Sequence, residues 1–520
     1  MFESKKASLF ETPVKKTESA SSFVNAGLKN SARTLSGNGA LKYSTTGNAG
    51  VDQFGIAGSY RQPRAFTDIA KDMEKLWAES PELAVRFTFY LRIITRQPQL
   101  IDGEKVEQIA RGQGLKHESL MRLLWIYNRN QNVFWDNLPL FITVGSWRDV
   151  FELLRYDVQY HGWNERVLNW NKMFDIISFG IENDNTSNLV KKYLPQIKAR
   201  SKCNTIETQA NTIIGKWLCS KWRLTYKQYR QLKTSGTAHE WQKVISNRDW
   251  DKLDFGSIHG RALALLVSGK FLDNQKLNEK YVKWLMPQKT VKYTGYPHEL
   301  MATVTATMKL PQRITVDKQF LGLVETGMKD IPDDESLIVV RDTSGSMKST
   351  ATGTTMSSYD IAKGLALYFS YFLKGKFSDS WIEFNKTAIM HKWIGNAPTD
   401  RWLNDHTEAV GNTNFQSVIN LFCQILRDGV PESEFPAGIL CVSDGEFDPA
   451  ALGKTNVDTA RDKLLRAGFS KEYVAKFKII LWNIPNSYYG INSGKKFETY
   501  GDVVQNVFYF SGYDASTVAF

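Results

Sequence analysis

The sequence predicts an α + α/β fold, in which a HEAT-like helical-repeat domain precedes a doubly wound, Rossmann-like α/β domain. Three observations support this prediction. The chain has 520 residues, more than the roughly 250–300 at which a single hydrophobic core stops growing. Amphipathic helical spacing dominates residues 61–330, with almost no alternating strands. From residue 336 onward, short β-branched apolar runs alternate with helical segments.

Residues 1–60 have the composition of a flexible, low-complexity tail. They are rich in Ser, Thr, Gly, Asn and Ala and poor in large apolar side chains. Such a segment buries too little apolar surface to offset the entropy lost on ordering. Two interpretations remain open, namely a tail that orders on a partner and a tail without a role of its own.

Residues 61–330 carry helical periodicity. Apolar side chains recur three or four positions apart in the first stretch, at Phe66, Ile69, Ala70, Met73, Leu76 and Trp77. Further apolar helical runs cover Leu83–Ile94, Leu120–Tyr127 and Val150–Leu154. Helices joined by short loops predict stacked helical hairpins, although no exact repeat period is visible.

Residues 336–520 alternate between buried strands and helices. The predicted strands are Leu337–Val340, Trp381–Phe384, Ala437–Val442, Phe477–Ile484 and Val507–Phe510. The predicted helices are Asp360–Leu373, Phe415–Leu426 and Asp458–Leu465. In a doubly wound sheet, the ligand site lies beyond the carboxyl ends of the strands.

The lengths of the apolar runs and the spacing of the cysteines argue against a membrane protein, a secreted disulfide-rich protein and a zinc protein. No segment approaches the roughly 18 consecutive apolar residues of a membrane span, and the N-terminal residues lack the apolar stretch of a secretory signal. The cysteines follow neither a disulfide framework nor zinc spacing. We therefore expect reduced cysteines, no membrane partner and a cytoplasmic location, with association with a virion as the alternative.

The net charge of +12 is unevenly distributed along the chain. Residues 61–330 hold 41 Lys and Arg against 28 Asp and Glu, whereas residues 331–520 hold 18 against 22. Within residues 191–300 the counts are 21 basic and 8 acidic. A localised positive surface is typical of proteins that bind polyanions such as RNA. Ordinary solvated, lysine-rich helix faces explain the same counts equally well.

Oxygen-bearing side chains occur in three loops at one edge of the predicted sheet. Asp342, Ser344 and Ser346 follow the first strand, Thr413 precedes a helix, and Asp444 follows another strand. Because the three loops share an edge, we expect the five side chains to converge. Carboxylate and hydroxyl oxygens suit a hard cation such as Mg²⁺. A polar turn after a strand is the alternative for the first three residues taken alone.

The same segment argues against catalysis. A phosphoaspartyl transferase would need an acid two residues after Asp342, where Ser344 lies. The chain has no GxxxxGK phosphate loop, and its TSGSM segment lacks the GxSxG nucleophile elbow. Neutral hydroxyl ligands leave a cation electrophilic, so that it accepts a carboxylate or phosphate oxygen from a partner. We therefore predict a binding protein and not an enzyme.

The order DxSxS, then Thr, then Asp resembles the metal-ion-dependent adhesion site (MIDAS) of von Willebrand factor A (vWA) domains. The resemblance implies that Asp342, Ser344 and Ser346 contact the metal. It implies that Thr413 does so directly or through water, and that Asp444 acts mainly through water. The expected ion is Mg²⁺, with Mn²⁺ or Ca²⁺ as alternatives, and an acidic protein ligand is an expected partner at the metal.

Longer stretches resemble one branch of vWA domains, of unassigned function, found in plants, fungi, protists and large viruses. The stretches are DTSGSM, GNTNFQSVINL, VSDGEFDPA, KIILWNI and FYFSGYDAS. The segment NLPLFITVGSWRDV in the helical part is also similar. A basic helical-repeat domain before a vWA domain resembles the Ro autoantigen group, named for its TROVE module. That resemblance implies binding of small noncoding or misfolded RNA.

The segment from Lys216 to Lys233 contains the candidate RNA-binding residues. We call them the basic surface: Lys216, Lys221, Arg223, Lys227 and Arg230. They alternate with Trp217, Trp222, Tyr226 and Tyr229, and the spacing predicts that Arg223 and Lys227, and Lys227 and Arg230, are neighbours on one helix. An amphipathic helix with core aromatics and solvated cations is the alternative interpretation.

Two functional hypotheses follow. The first is a non-enzymatic, Ro-like component of a ribonucleoprotein, whose helical domain binds RNA and whose vWA domain binds a partner through the cation. The second is a metal-dependent protein-interaction or virion-associated structural protein without an RNA role. Copurified nucleic acid favours the first hypothesis, and protein contacts that EDTA abolishes favour the second.

Overall fold

The computed structural model describes the chain in several stretches. They are residues 33–35, 41–43, 48–61, 63–93, 99–101, 104–106, 112–162, 164–236, 239–258, 260–328, 336–351, 354–450, 455–484 and 506–512. Most of the predicted tail, and the end of the FYFSGYDAS stretch, lie outside these residues.

The described residues between 48 and 328 are mainly α-helical, and many neighbouring helices pack on one another. The first group is α1 Ala49–Gly55, α2 Phe66–Glu79, α3 Pro81–Arg92, α4 Lys116–Arg129, α5 Gln131–Val144, α6 Arg148–His161, α7 Trp170–Glu182 and α8 Asp184–Tyr193. The second group is α9 Ile206–Lys221, α10 Tyr226–Ser235, α11 Glu240–Asn247, α12 Arg261–Ser268, α13 Phe271–Asn274, α14 Asn278–Leu285, α15 Pro297–Met301 and α16 Leu310–Met328. The predicted helical domain is therefore confirmed.

Polar side chains define where many of these helices begin. The side chains of Ser80, Asn130, Asn183, Thr205 and Thr225 accept hydrogen bonds from backbone N–H groups in the first turns of α3, α5, α8, α9 and α10. Each cap satisfies donors that have no acceptor inside the helix. The residues at which these helices begin can therefore be predicted from the local sequence.

The helical region contains a second, smaller core near its end. Residues 253–291 bury their own apolar cluster, which includes Leu263, Leu272, Tyr281 and Leu285. The main helical core, built by residues 56–229 and shared with part of the sheet, is a separate cluster. Residues 300–324 belong to a third cluster, which they also share with the sheet. The described residues of the segment predicted as one domain therefore contribute to three centres of packing.

Residues 337–511 form a six-stranded sheet. Its strands are β5 Leu337–Asp342, β6 Ser380–Phe384, β7 Ala388–Lys392, β8 Gly438–Ser443, β9 Lys478–Asn483 and β10 Val507–Ser511. The strand order is β10-β9-β8-β5-β6-β7, and every neighbouring pair is parallel except β6 and β7. Short antiparallel pairs also form between β1 Arg33–Leu35 and β2 Leu41–Tyr43, and between β3 Gln99–Ile101 and β4 Glu104–Val106.

Helices cover both faces of the sheet, as a doubly wound fold requires. They are α17 Ser358–Ser370, α18 Pro398–Asn404, α19 Phe415–Arg427, α20 Asn456–Ala467 and α21 Lys471–Lys476. Val340 of β5 shares a core with α19 and α20, whereas its neighbour Val339 shares a core with α17 and α16. Side chains that alternate along β5 thus enter two different cores, and each of these cores also contains residues of the helical region.

Helical structure begins before the predicted boundary at residue 61, with helix α1. Helix α1 and the turn Ala57–Arg61 pack against α2 and β10. The Phe54 and Phe510 rings lie 6.4 Å apart, and Gly58 contacts the backbone of Ser511. Residues 48–60 are rich in glycine and alanine and weakly periodic, so the local pattern did not predict this helix.

Strand β7 was not predicted. It is the antiparallel edge strand, and its residues are half-buried or exposed, so it lacks the apolar run of a central strand. Within the part of the chain that the structure describes, no helix is long and apolar enough to cross a membrane.

Candidate metal centre and basic surface

The candidate metal residues lie where the strand order of the sheet reverses. From β5 the chain moves to β6 on one side, and it later returns to β8 on the other side. The carboxyl ends of β5 and β8 are adjacent, because Arg341 pairs with Val442 in the parallel register. This places Asp342 beside Ser443 and Asp444, at the position where doubly wound sheets bind ligands.

Asp342 is fully buried. Its Oδ1 accepts a hydrogen bond from the Ser344 backbone N–H at 2.8 Å, and its Oδ2 accepts one from the Ser443 hydroxyl at 2.5 Å. Burial and the neighbouring Asp444 carboxylate raise the pKa of Asp342 to about 7. Two carboxylates that lie close together in a buried site repel each other when both are ionised. A bound cation would offset this repulsion.

Backbone hydrogen bonds hold the three predicted loops together. The Val410 N–H donates to the Thr343 carbonyl at 2.6 Å, and the Gly345 N–H donates to the Gly411 carbonyl at 3.4 Å. The Thr413 carbonyl accepts from the Asp448 N–H of the third loop at 2.9 Å. The loop that carries Thr413 is therefore fixed to both of the other loops.

The hydroxyl groups of the first loop also lie close together. The Oγ atoms of Ser344 and Ser346 are 3.1 Å apart. Ser344, Thr413 and Asp444 are buried, and Ser346 is half-buried. The structure thus brings Asp342, Ser344 and Ser346 together, places Asp444 next to Asp342, and places Thr413 in the loop between them.

The donor set fits a hard cation. Two carboxylates and neutral hydroxyls are ligands of the type that Mg²⁺ binds while keeping some of its waters. Within the described residues, no group of three or more His, Cys, Asp and Glu side chains is arranged to hold a metal. A zinc-type site is therefore not indicated in that part of the chain, and the hydroxyls would have to complete the coordination.

Two residues beside this centre escaped the sequence interpretation. Ser443 donates to Asp342 and accepts from the Gly445 N–H at 3.1 Å. Asn483 ends the next strand, donates to the Tyr509 hydroxyl at 2.8 Å, and has an Oδ1 without a partner among the described residues. Both are polar residues at the end of a buried strand, and this position could have identified them as site residues from the sequence.

Arg341 precedes Asp342 but lies on the opposite side of β5. Its guanidinium lies between the rings of Tyr359 and Trp381, at 4.3 and 4.7 Å from their centroids. It also donates to Asp405 Oδ2 at 2.6 Å. Because Asp405 precedes the loop that carries Thr413, Arg341 anchors that loop from behind the metal centre.

The basic surface is divided between two helices. Helix α9 ends at Lys221, and Arg223 has the left-handed φ of 52°. The Leu224 N–H donates to the Cys219 carbonyl at 2.9 Å, a bond typical of a helix end. Thr225 then caps α10. The prediction that Arg223 and Lys227 are neighbours on one helix is therefore wrong, whereas Lys227 and Arg230 do share α10.

Most aromatic residues of this segment pack inside the protein. Trp217 contacts Trp170, the indole N–H of Trp222 donates to Ser178 at 3.0 Å, and Tyr229 is buried. Only Tyr226, of the four rings, is largely exposed, at 55%. The alternative interpretation of core aromatics thus holds for Tyr229, which is buried, and largely for Trp217 and Trp222, which are half-buried and packed against the core.

The cations of the basic surface are all exposed. Among the described residues, no acidic side chain pairs with any of them, in contrast to Arg155 and Lys243, which pair with Glu207 and Glu240. Their positive charge is therefore not neutralised within that part of the chain.

Fold and site together define a two-part protein, with a basic helical region and a doubly wound unit that has oxygen donors at its switch point. The family described as "Domain of unknown function (DUF7788)" matches residues 336–520. The chain is also similar to the crystal structure of Deinococcus radiodurans RO (RSR) protein, with a TM-score of 0.45 and 12% identity over 88% of this chain and 92% of that chain. No curated protein matches the sequence.

Proposed function

We propose that this chain is a non-enzymatic RNA-binding protein whose α/β unit binds a partner through a divalent cation, in the manner of a vWA domain with a MIDAS. The helical region supplies the RNA surface. The cation, Mg²⁺ in the first instance, is held by Asp342, Ser344, Ser346, Thr413 and Asp444, and it offers an open position to a carboxylate or phosphate oxygen of the partner.

The observation that carries this proposal is the environment of Asp342. A buried carboxylate next to Asp444, with two hydroxyls of the first loop 3.1 Å apart, supports a cation more than any other occupant. Hydroxyl ligands leave the cation electrophilic and provide no general base, which supports binding and not catalysis.

The cations of the basic surface are exposed, and no acidic side chain among the described residues pairs with them, which supports the RNA part. A polar cavity of about 210 Å³ lies beside α10, and its wall contains Arg148, Arg155 and Lys192 together with Glu152 and Glu207. Because the two glutamates pair with the two arginines, the cavity adds little net charge to the basic surface. Phosphate groups would be attracted to the cations of the basic surface itself.

A double charge reversal on α10 tests the RNA part. Lys227→Glu with Arg230→Glu should weaken binding of single-stranded RNA and flatten its salt dependence, because two phosphate contacts are lost. The slope of log K against log salt should decrease by roughly 1.4, since each contact to a single strand contributes about 0.7. Fluorescence anisotropy over a salt series measures this slope.

The matched control places the same charge change on the α/β unit. Arg466 and Lys471 are exposed there, and Arg466→Glu with Lys471→Glu should leave the slope unchanged. Equal RNA affinity and slope in the α10 variant and the wild type would reject the basic surface. No RNA binding by the wild-type protein at low salt would favour the second hypothesis, a metal-dependent protein-interaction or virion-associated protein.

A further inference from the structure

A largely apolar cavity of about 170 Å³ lies between α12, α15 and α16. Its wall includes Leu265, Val267, Leu300, Met308 and Val316. A single water needs about 10–15 Å³ of such volume, so the cavity is large enough for a small organic group. Leu265, at the rim, is 72% exposed, which makes the entrance apolar as well.

One carboxamide in the cavity wall is unusual. Gln319 lines the cavity and is fully buried, and neither its Nε2 nor its Oε1 has a hydrogen-bond partner in the part of the chain that the structure describes. A buried amide that makes none of its hydrogen bonds destabilises a folded protein. Such a group points to a ligand that supplies a donor and an acceptor side by side.

The other polar groups of the wall do not share this feature. The Gln312 Nε2 donates to the Val267 carbonyl at 2.9 Å, and its Oε1 accepts from the Lys309 N–H at 3.1 Å. Thr315 bonds to the Pro311 carbonyl and to the Tyr281 hydroxyl, both at 2.7 Å. Of Gln312, Thr315 and Gln319, only Gln319 therefore lacks hydrogen-bond partners among the described residues.

We infer that this cavity binds an unpaired adenine base of RNA, with the Gln319 carboxamide bonded to the edge of the base. The inference rests on the proposed RNA-binding function. Glutamine forms a bidentate pair with the amino group and N7 of adenine, and aliphatic walls accommodate the faces of a planar ring.

Adenine suits the cavity better than the other bases. It has one exocyclic amino group and no carbonyl, whereas uracil, cytosine and guanine each bring at least one carbonyl that the apolar wall would leave unpaired. The location agrees with an RNA ligand, because Arg261, Leu265 and Tyr293 of the wall belong to the basic segment 191–300.

The test compares RNA ligands that differ at one base. An oligouridine with one central adenosine is compared, by fluorescence anisotropy, with the same oligomer carrying an abasic site or a guanosine at that position. The wild-type protein should prefer the adenosine oligomer by roughly tenfold, the usual discrimination of a bidentate pair. Gln319→Met should remove this preference while retaining the salt-dependent affinity for the RNA backbone.

The matched control is Gln53→Met, which changes another buried glutamine outside the cavity. It should keep the adenine preference but lower the melting temperature, because the Gln53 Nε2 donates to the Asp72 carbonyl and its Oε1 accepts from Arg122. Gln319→Met, in contrast, should raise the melting temperature by about 2 °C, because it removes a buried amide without partners. A lower melting temperature for Gln319→Met would overturn the inference.

Free adenosine separates this inference from the proposed function. Titration with the nucleoside, followed by thermal shift, should stabilise the wild type and not Gln319→Met, even if no RNA strand binds. If RNA binds without preference for adenosine, the cavity assignment fails and the RNA function stands. Leu265→Asp, at an exposed position that tolerates substitution, should also weaken adenosine binding. Unchanged adenosine binding in that variant, or a preference for another base, would contradict the assignment.

Discussion

At the scale of single residues, we expect the candidate metal centre to depend on Arg341, whose charged side chain points away from it. Arg341 is fully buried and forms an ion pair with Asp405. Burial raises the pKa of Asp405, but Arg341 and Lys363 outweigh that effect and hold the pKa below its ordinary value. Because Asp405 leads into the loop of Thr413, the ion pair fixes a loop that the metal centre needs.

Arg341→Met should therefore lower both stability and metal affinity. Removing one partner of a buried ion pair costs about 3–5 kcal/mol, and the lower end applies here because Lys363 remains 3.6 Å from Asp405. Thermal unfolding measures the stability, and calorimetric titration with Mg²⁺ measures the affinity.

A matched control for this variant is Arg401→Met. Arg401 also lies over a ring, that of Tyr371, and pairs with Asp379 at 2.8 Å, but it does not hold the Thr413 loop. It should lower the melting temperature and leave Mg²⁺ affinity unchanged. If Arg341→Met binds Mg²⁺ as the wild type does, the anchoring role of Arg341 is wrong.

At this scale, the sequence predicted site residues where several polar residues follow a recognisable spacing. A DxSxS turn after a buried strand, followed by Thr413 and Asp444 in later loops, was enough to select these residues as candidates. The role of Arg341 was not predictable, because its partners Tyr359, Trp381 and Asp405 are distant in sequence. Ser443 was passed over because a serine before an aspartate is also common in ordinary turns.

At the scale of elements, periodicity predicted the helices but not every helix end. The apolar spacing continues through residues 216–230, so the break after Lys221 was missed. The Thr225 and Gln228 side chains form a capping box there, and this T-x-x-Q pattern was the available local signal. The consequence for function is that the basic surface follows a turn between two helices and not one helix face.

The N-terminal element offers a sharp test of packing. A Cβ at Gly58 would lie 1.7 Å from the Ser511 carbonyl oxygen, so Gly58→Ala cannot be accommodated without moving the backbone. We expect this substitution to release residues 48–61 from β10. Limited proteolysis should then cleave this segment faster, and the melting temperature should decrease.

The corresponding control is Gly269→Ala, whose added Cβ would lie 3.2 Å from the nearest atom. In limited proteolysis, the Gly269→Ala variant should be cleaved within residues 48–61 at the same rate as the wild type. Wild-type protection of this segment in Gly58→Ala would show that its contact with β10 does not hold it in place.

At the scale of the whole molecule, the α/β unit is not an appended domain. Val339 of β5, Phe320 of α16 and Leu365 of α17 belong to one core, so the helical region and the sheet stabilise each other. The order of the two units was predictable because strand and helix patterns differ in period. Their shared core was not, since it depends on which helix faces meet.

This arrangement places the candidate metal centre and the apolar cavity around one core. Helix α16 lines the cavity and packs on α17, and α17 in turn packs on β5, the strand that ends at Asp342.

Calorimetric titration of Mg²⁺ into metal-free protein at pH 8, where the Asp342 carboxyl is ionised, tests the central claim most directly. The account predicts one binding event per chain, which Asp342→Ala and Ser346→Ala abolish or strongly weaken. The exposed Asp428→Ala should retain it. No heat of binding with either Mg²⁺ or Mn²⁺, or equal binding by Asp342→Ala and the wild type, would contradict the claim that these five side chains hold a cation.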